Sequence, residues 1–186
     1  MKIRQFGFLF RLFVVGVFVT GGFMTLGTEA QAHGLGFHVA AAQGESGHFQ
    51  IGGSWDTAVA ENRLINYRMN LGLETFKLKN YWGETEKLSG WILENTLGFR
   101  LFADDKVRIW AGPQIITGFY KEDLGIGLGL SLGANFHLDK KRSLGMTIGA
   151  RRSEYSGIWD YSEYESVGYL RLDYFFRSKN DYFTKN

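Results

Sequence analysis

The chain has 186 residues, with 25 glycines, one proline and no cysteine, and 21 Lys and Arg stand against 19 Asp and Glu. The lack of cysteine excludes disulfides, thiol chemistry and an acylated lipoprotein cysteine, and the near balance of charge gives no basis for binding nucleic acid. Aromatic residues make up 16% of the chain, a share that suits a membrane β-barrel with aromatic girdles at both interfaces.

In chain order, residues 1–32 read as a signal peptide. Lys2, Arg4 and Arg11 form a positive leader, residues 12–26 are apolar, and Ala30-Gln31-Ala32 is an A-x-A site that places cleavage before His33. The apolar run is short and glycine-interrupted, which argues against a membrane anchor. The leader holds Lys2, Arg4, Arg11 and Glu29, so its loss takes the formal charge from +2 to zero. No later stretch is long enough for a transmembrane helix.

Eight strand-like runs follow. Residues 36–42 put Phe37, Val39 and Ala41 on one face, and Gly44-Glu45-Ser46-Gly47 makes a turn. Residues 48–55 alternate Phe49, Ile51, Gly53 and Trp55 with His48, Gln50, Gly52 and Ser54. Residues 56–65 connect to a third run, 66–78, with Tyr67, Met69, Leu71 and Leu73 against Arg68, Asn70, Gly72 and Glu74. After a polar loop at 79–88, residues 89–103 set Trp91, Leu93, Leu97, Phe99 and Leu101 against Ile92, Glu94, Thr96, Gly98 and Arg100. A turn at 104–106 leads to residues 107–120, where Pro113 marks a bulge or an irregular position.

A loop at 121–125 precedes the clearest run, residues 126–138. There Ile126, Leu128, Leu130, Leu132, Ala134, Phe136 and Leu138 alternate with Gly127, Gly129, Ser131, Gly133, Asn135 and His137. A charged turn at 139–142 leads to residues 143–155, with Leu144, Met146, Ile148 and Ala150 on one face. A loop rich in Tyr, Trp and Asp spans 156–163. The eighth run, 164–176, points Leu170, Leu172, Tyr174 and Phe176 one way and Tyr169, Arg171 and Asp173 the other.

A period of two gives each strand one apolar face and one small or polar face. Behind a secretory signal, that pattern predicts an all-β fold: an eight-stranded antiparallel transmembrane β-barrel in the cell outer membrane of a Gram-negative bacterium. The competing reading is a soluble barrel or sandwich, and the apolar residues on nearly every strand argue against it. An even strand count places both termini on the periplasmic side, with the short turns at 104–106 and 139–142. The barrel is expected over 33–176 with a tail at 177–186, the last strand either ending at Phe176 or extending to Phe183. Arg68, Glu74, Glu94, Arg100, Arg108, Arg151, Arg171 and Asp173 share the inward face. Eight strands enclose only enough room for side chains, so these charges predict a plugged salt-bridge network rather than an open pore.

There is no phosphate loop, HExxH or CxxC, and His33, His38, His48 and His137 lie apart. No metal and no cofactor are expected. One segment carries candidate chemistry: Arg151-Arg152-Ser153-Glu154-Tyr155-Ser156-Gly157 at the outer end of the seventh strand. By parity Arg152, Glu154 and Ser156 continue the outward line, and Glu163 and Glu165 begin across from them. A serine beside carboxylates and arginines at the lipid surface suits an esterase acting on lipid. The alternative is a polar rim seated among anionic headgroups.

The order of these motifs resembles the outer-membrane lipid A 3-O-deacylases, a family of eight-stranded barrels that cleave an acyl ester of lipopolysaccharide. The likeness covers Gly44-x-Ser46-Gly47 leading to Gly52-x-Ser54-Trp55-Asp56, and Leu132-Gly133-Ala134-Asn135-Phe136 followed by 145–151. The family's catalytic segment reads Arg-x-x-His-Tyr-Ser, with an acid in a Glu-Ser pair on the last strand. Here Arg151-Arg152-Ser153-Glu154-Tyr155-Ser156 and Glu165-Ser166 take those places. The resemblance implies Ser156 as nucleophile and Glu165 as acid, with Glu154 where the family has its histidine. A solvated carboxylate near pKa 4.3 is a weak base for a serine, and Glu165 has inward parity. Three functions therefore stay open: a hydrolase of a lipid A acyl ester, a non-catalytic lipid-interacting relative, or a structural barrel or small-solute channel. The expected partners are outer-membrane lipid, lipopolysaccharide above all, and the outer-membrane assembly machinery. A homodimer is compatible with the chain.

Overall fold

Strict alternation of side chains requires an extended backbone, and in the computed structural model that backbone closes on itself. The structure describes residues 33–44, 47–58, 64–79, 85–120, 123–156 and 162–177. Residues 1–32, expected to be a signal peptide, and residues from 178 lie outside the described residues. The strands are β1 (His33–Gln43), β2 (Gly47–Ala58), β3 (Ile65–Lys79), β4 (Thr85–Ala103), β5 (Val107–Tyr120), β6 (Asp123–His137), β7 (Arg142–Ser156) and β8 (Ser162–Arg177). Each pairs antiparallel with the next, and β1 pairs with β8 from Gly34 opposite Arg177 to Gln43 opposite Gly168. Closure removes every sheet edge.

The two faces separate as the period of two demands. On β6, Leu128 and Leu130 are 66% and 69% exposed, whereas Ser131 and Asn135 are buried. Leu35, Phe37, Ile51, Leu71, Leu73, Trp91 and Phe119 are likewise exposed around the outside. A closed barrel with this much apolar exterior presents a wall for lipid. The interior is polar and filled. Arg68, Asp56, Asn66 and Arg171 are fully buried, and Trp110 fits among them because Gly98 and Gly133 carry no side chain: a Cβ at either would strike its indole ring.

Several strands run further than the apolar pattern suggested. β4 starts at Thr85, within the stretch read as loop, and β2 continues through Asp56 to Ala58. β6 begins at Asp123, and β8 includes Arg177, which lies beyond the apolar run that ends at Phe176. At strand ends the ladder persists although the side chains turn polar, so hydropathy alone ends them early. Pro113 marks an irregular position rather than a bulge: the β4–β5 ladder lacks the pairs of Leu97 and Gly98 beside it. The proline sits opposite Leu130, and the register with β4 is the same on both sides, Thr96 opposite Gln114 and Phe99 opposite Ala111. Proline's missing N–H removes a ladder bond without inserting a residue. The register shift falls instead between Arg100 and Phe102.

Two turns at the end bearing the strand termini share one device. The Asp104 carboxylate accepts from the backbone N–H groups of Lys106 (2.8 Å) and Val107 (2.7 Å). The Asp139 carboxylate accepts from those of Lys141 and Arg142, each at 2.8 Å, and from Arg142 Nε at 2.6 Å. An aspartate that bonds the backbone two residues on closes a tight turn. Backbone donors hold the Asp104 carboxyl below its ordinary pKa, and the Arg142 side chain does the same for Asp139.

Candidate functional site

The inward side chains join into a chain of alternating charge along the lumen. At the terminal end Arg177 Nη2 lies 3.9 Å from Asp56, which pairs with Arg68 at 3.2 Å. Arg68 also reaches Asp173 at 3.5 Å, and Asp173 lies 3.6 Å from Arg171 Nε. Arg171 donates to Glu94, which accepts from Arg151 at 3.1 Å. Arg151 donates to Glu74 as well. Beyond it, His48 spans two carboxylates, with Nδ1 3.3 Å from Glu74 and Nε2 3.0 Å from Glu165. A doubly protonated imidazole donates from both ring nitrogens, so an imidazolium at His48 continues the alternation to its last member.

Aromatic groups close both ends of this chain. The Arg68 guanidinium lies 4.7 Å from the Trp110 ring and 5.0 Å from the Phe175 ring, within cation–π range. At the other end His48 stacks on Phe76 at 4.4 Å, and Phe76 meets Tyr120 edge-on at 5.1 Å. Phe76, Leu88 and Tyr120 form a small buried apolar cluster there, and the Tyr120 hydroxyl donates to Glu74. Neutral hydrogen bonds tie the chain to the walls: His38 Nδ1 meets Ser54 Oγ at 2.9 Å, and Ser54 donates to Asp173 at 2.8 Å. Between the middle and upper pairs a void of about 10 Å³ is lined by Ala40, His48, Gln50, Glu74, Glu94, Arg151 and Tyr169. That is space for one water.

Most of the charges expected inside are there: Arg68, Glu74, Glu94, Arg108, Arg151, Arg171 and Asp173 are all buried. Arg100 is the exception. It remains half-exposed at the mouth, beside the register shift. Asp56, Glu165 and Arg177 complete the set, so five arginines face five carboxylates. Asp56 and Arg177 fall where hydropathy predicts a connection and a tail, and no short-range signal links His48 to Glu165 across the sequence. The inward parity of Glu165 was the one usable hint.

Of the residues expected to be catalytic, Glu154 and Glu165 are not brought together. Glu165 is 3% exposed and bonded to His48 inside the lumen. Glu154 is half-buried on the outward face of β7, beyond the exposed Arg152. Glu154 and Glu165 therefore stand on opposite sides of the wall. The backbone of Ser156 ends β7 opposite Ser162, while its side chain lies outside the described residues. Ser153 faces inward and is paired with Glu165 across β7 and β8. Among the described residues no group of His, Asp and Glu is arranged to hold a metal.

No family model matches the chain, and no curated protein matches it. Solved structures do. The outer membrane protein OprG from Pseudomonas aeruginosa aligns over 82% of this chain and 98% of its own, at 9% identity and a TM-score of 0.52. Neisserial surface protein A aligns over 80% and 96%, at 14% identity and a TM-score of 0.43. A major outer membrane protein from Thermus thermophilus aligns over 77% and 99%, at 14% identity and a TM-score of 0.45. The likeness to OprG shows the fold, that of a small outer-membrane β-barrel.

Proposed function

We propose that this chain is a non-conducting outer-membrane barrel that acts through its lipid-facing wall and outer rim rather than through its lumen. The observation that supports this reading is the unbroken run of ion pairs from Arg177 to Glu74, carried on to Glu165 through His48 and flanked by aromatic groups toward both ends. Opening a path for solute means separating these pairs, and breaking one buried pair costs about 3–5 kcal/mol. A plugged interior leaves the outside as the working surface. Its partner is then membrane lipid, with lipopolysaccharide as the expected outer-leaflet species. Liposome swelling in sugars and amino acids, on protein whose heat-modifiable gel migration shows it folded, tests the reading. No swelling beyond that of empty liposomes is expected; swelling would make it a small-solute channel.

Hydrolysis of a lipid acyl ester at Ser156 is the second reading, supported by Arg152 and Glu154 on the outward face of β7. Glu165 is occupied with His48 on the inner side, so this reading needs another acid. Mass spectrometry of lipid A from cells making the intact chain, beside a Ser156→Ala control, decides it. We expect unchanged lipid A; loss of one hydroxyacyl group only with the intact chain would establish the hydrolase.

A further inference from the structure

On the outward faces of β3 and β4, Lys77 stands directly opposite Lys87 in register, and both are exposed. Like charges facing each other across two strands destabilise a sheet. The outward neighbours described around them, Phe49, Thr75, Ser89 and Phe119, carry no carboxylate, and no ion pair is formed by either lysine among the described residues. One rung further in, Thr75 and Ser89 share a hydroxyl hydrogen bond of 2.9 Å. Next come Leu73 and Trp91, 49% and 55% exposed. The charged pair thus sits just beyond an interfacial tryptophan, at the level of lipid headgroups.

The same strands carry a second feature in line with the first. A groove of about 440 Å³ runs down the outside of β1 to β4, bordered by Leu35, Ile51, Trp55, Leu71, Leu73 and Trp91. It exists because Gly53 points no side chain outward between Ile51 and Trp55. From Met69 at its lower end to Lys77 the strand rises about 27 Å, or about 20 Å along the membrane normal at the usual tilt. One leaflet of hydrocarbon is about 15 Å deep. A single acyl chain lying in the groove therefore brings its headgroup to the two lysines.

We propose that Lys77 and Lys87 bind the phosphate of an anionic outer-leaflet lipid whose acyl chain occupies the groove over Gly53. The phosphate turns a repulsive pair into two charge-assisted contacts. This inference rests on the outer wall being the working surface. It is nevertheless read separately from conductance: a barrel that swells liposomes but keeps its lipid would fail the first reading alone.

The test uses the full folded chain in detergent micelles, titrated with dioleoyl phosphatidic acid and followed by native mass spectrometry. Dioleoylglycerol, which lacks the phosphate, and inorganic phosphate, which lacks the chains, are the comparison probes. Phosphatidic acid is expected to be retained and each comparison probe to bind at least about tenfold more weakly. Lys77→Gln with Lys87→Gln should weaken phosphatidic acid about tenfold, a difference of about 1.4 kcal/mol, while Lys140→Gln with Lys141→Gln in the opposite turn should leave it unchanged. Gly53→Leu fills the groove without disturbing the sheet, since a Cβ there has only Gly36 O at 3.8 Å, and it should weaken binding by a similar factor. Equal retention by the Lys77 and Lys87 variant, equal binding of dioleoylglycerol, or indifference to Gly53→Leu would overturn the proposal. Gel mobility confirms that each variant is folded.

Discussion

Arg68 shows how little freedom a luminal residue has. Its guanidinium answers Asp56 and Asp173, donates to Asn135 at 2.9 Å, and lies against Trp110 and Phe175. Arg68→Met keeps the length and the ring contacts but leaves two buried carboxylates with only their longer contacts, Asp56 to Arg177 at 3.9 Å and Asp173 to Arg171 at 3.6 Å. We expect a loss of about 3–5 kcal/mol, measured by urea unfolding in lipid vesicles. Adding Asp56→Asn and Asp173→Asn should recover part of it, because the under-compensated buried charges are then gone. Strand parity made Arg68 and Asp173 legible as inward residues from sequence. Asp56 was not, because it follows the last apolar residue of its run and resembles the start of a connection. His48 was legible as inward but not as a bridge, because Glu74 and Glu165 come from distant strands.

At the scale of single elements, the apolar alternation located all eight strands and the direction each face points. It fell short chiefly where the ladder outlasts the hydrophobic band, as at Thr85 in β4 and Arg177 in β8. The register shift beside Leu101 left no mark in the pattern, whereas Pro113 left one that the sheet absorbs. The turns were legible because their chemistry is local. In the β6–β7 turn, Asp139 is held below its ordinary pKa first by Arg142 and then by the Lys141 N–H. A lowered carboxylate contributes stability that is present above the ordinary Asp value, about 3.9, and is lost as pH falls through the folded value. Amide-exchange protection of Lys141 and Arg142 should thus hold from pH 7 to about pH 5 and fall in stronger acid. Asp139→Asn keeps the backbone acceptor and removes the charge, so the turn should persist with its acid sensitivity gone. Retained acid sensitivity in that variant would mean that another group controls the turn.

For the whole molecule, barrel size and luminal charge act together. Eight strands leave a lumen that side chains can fill, and five arginines against five carboxylates fill it with closely matched charge. Neither factor suffices alone: the same barrel lined with alanine would admit water, and the same charges in a wider barrel would stand apart in it. The midpoint is Glu94, held between Arg151 and Arg171. Truncating all three, as Glu94→Ala with Arg151→Ala and Arg171→Ala, removes cations and an anion together and borders the void already present beside Glu94. In planar bilayers the parent chain should give no conductance steps. The triple variant should give small steps if the ion pairs are the plug. A silent triple variant that is still heat-modifiable would place the barrier elsewhere, at the Trp110–Phe175 end or under the Phe76–Tyr120 cap. Truncation at each of those ends in turn would then find it.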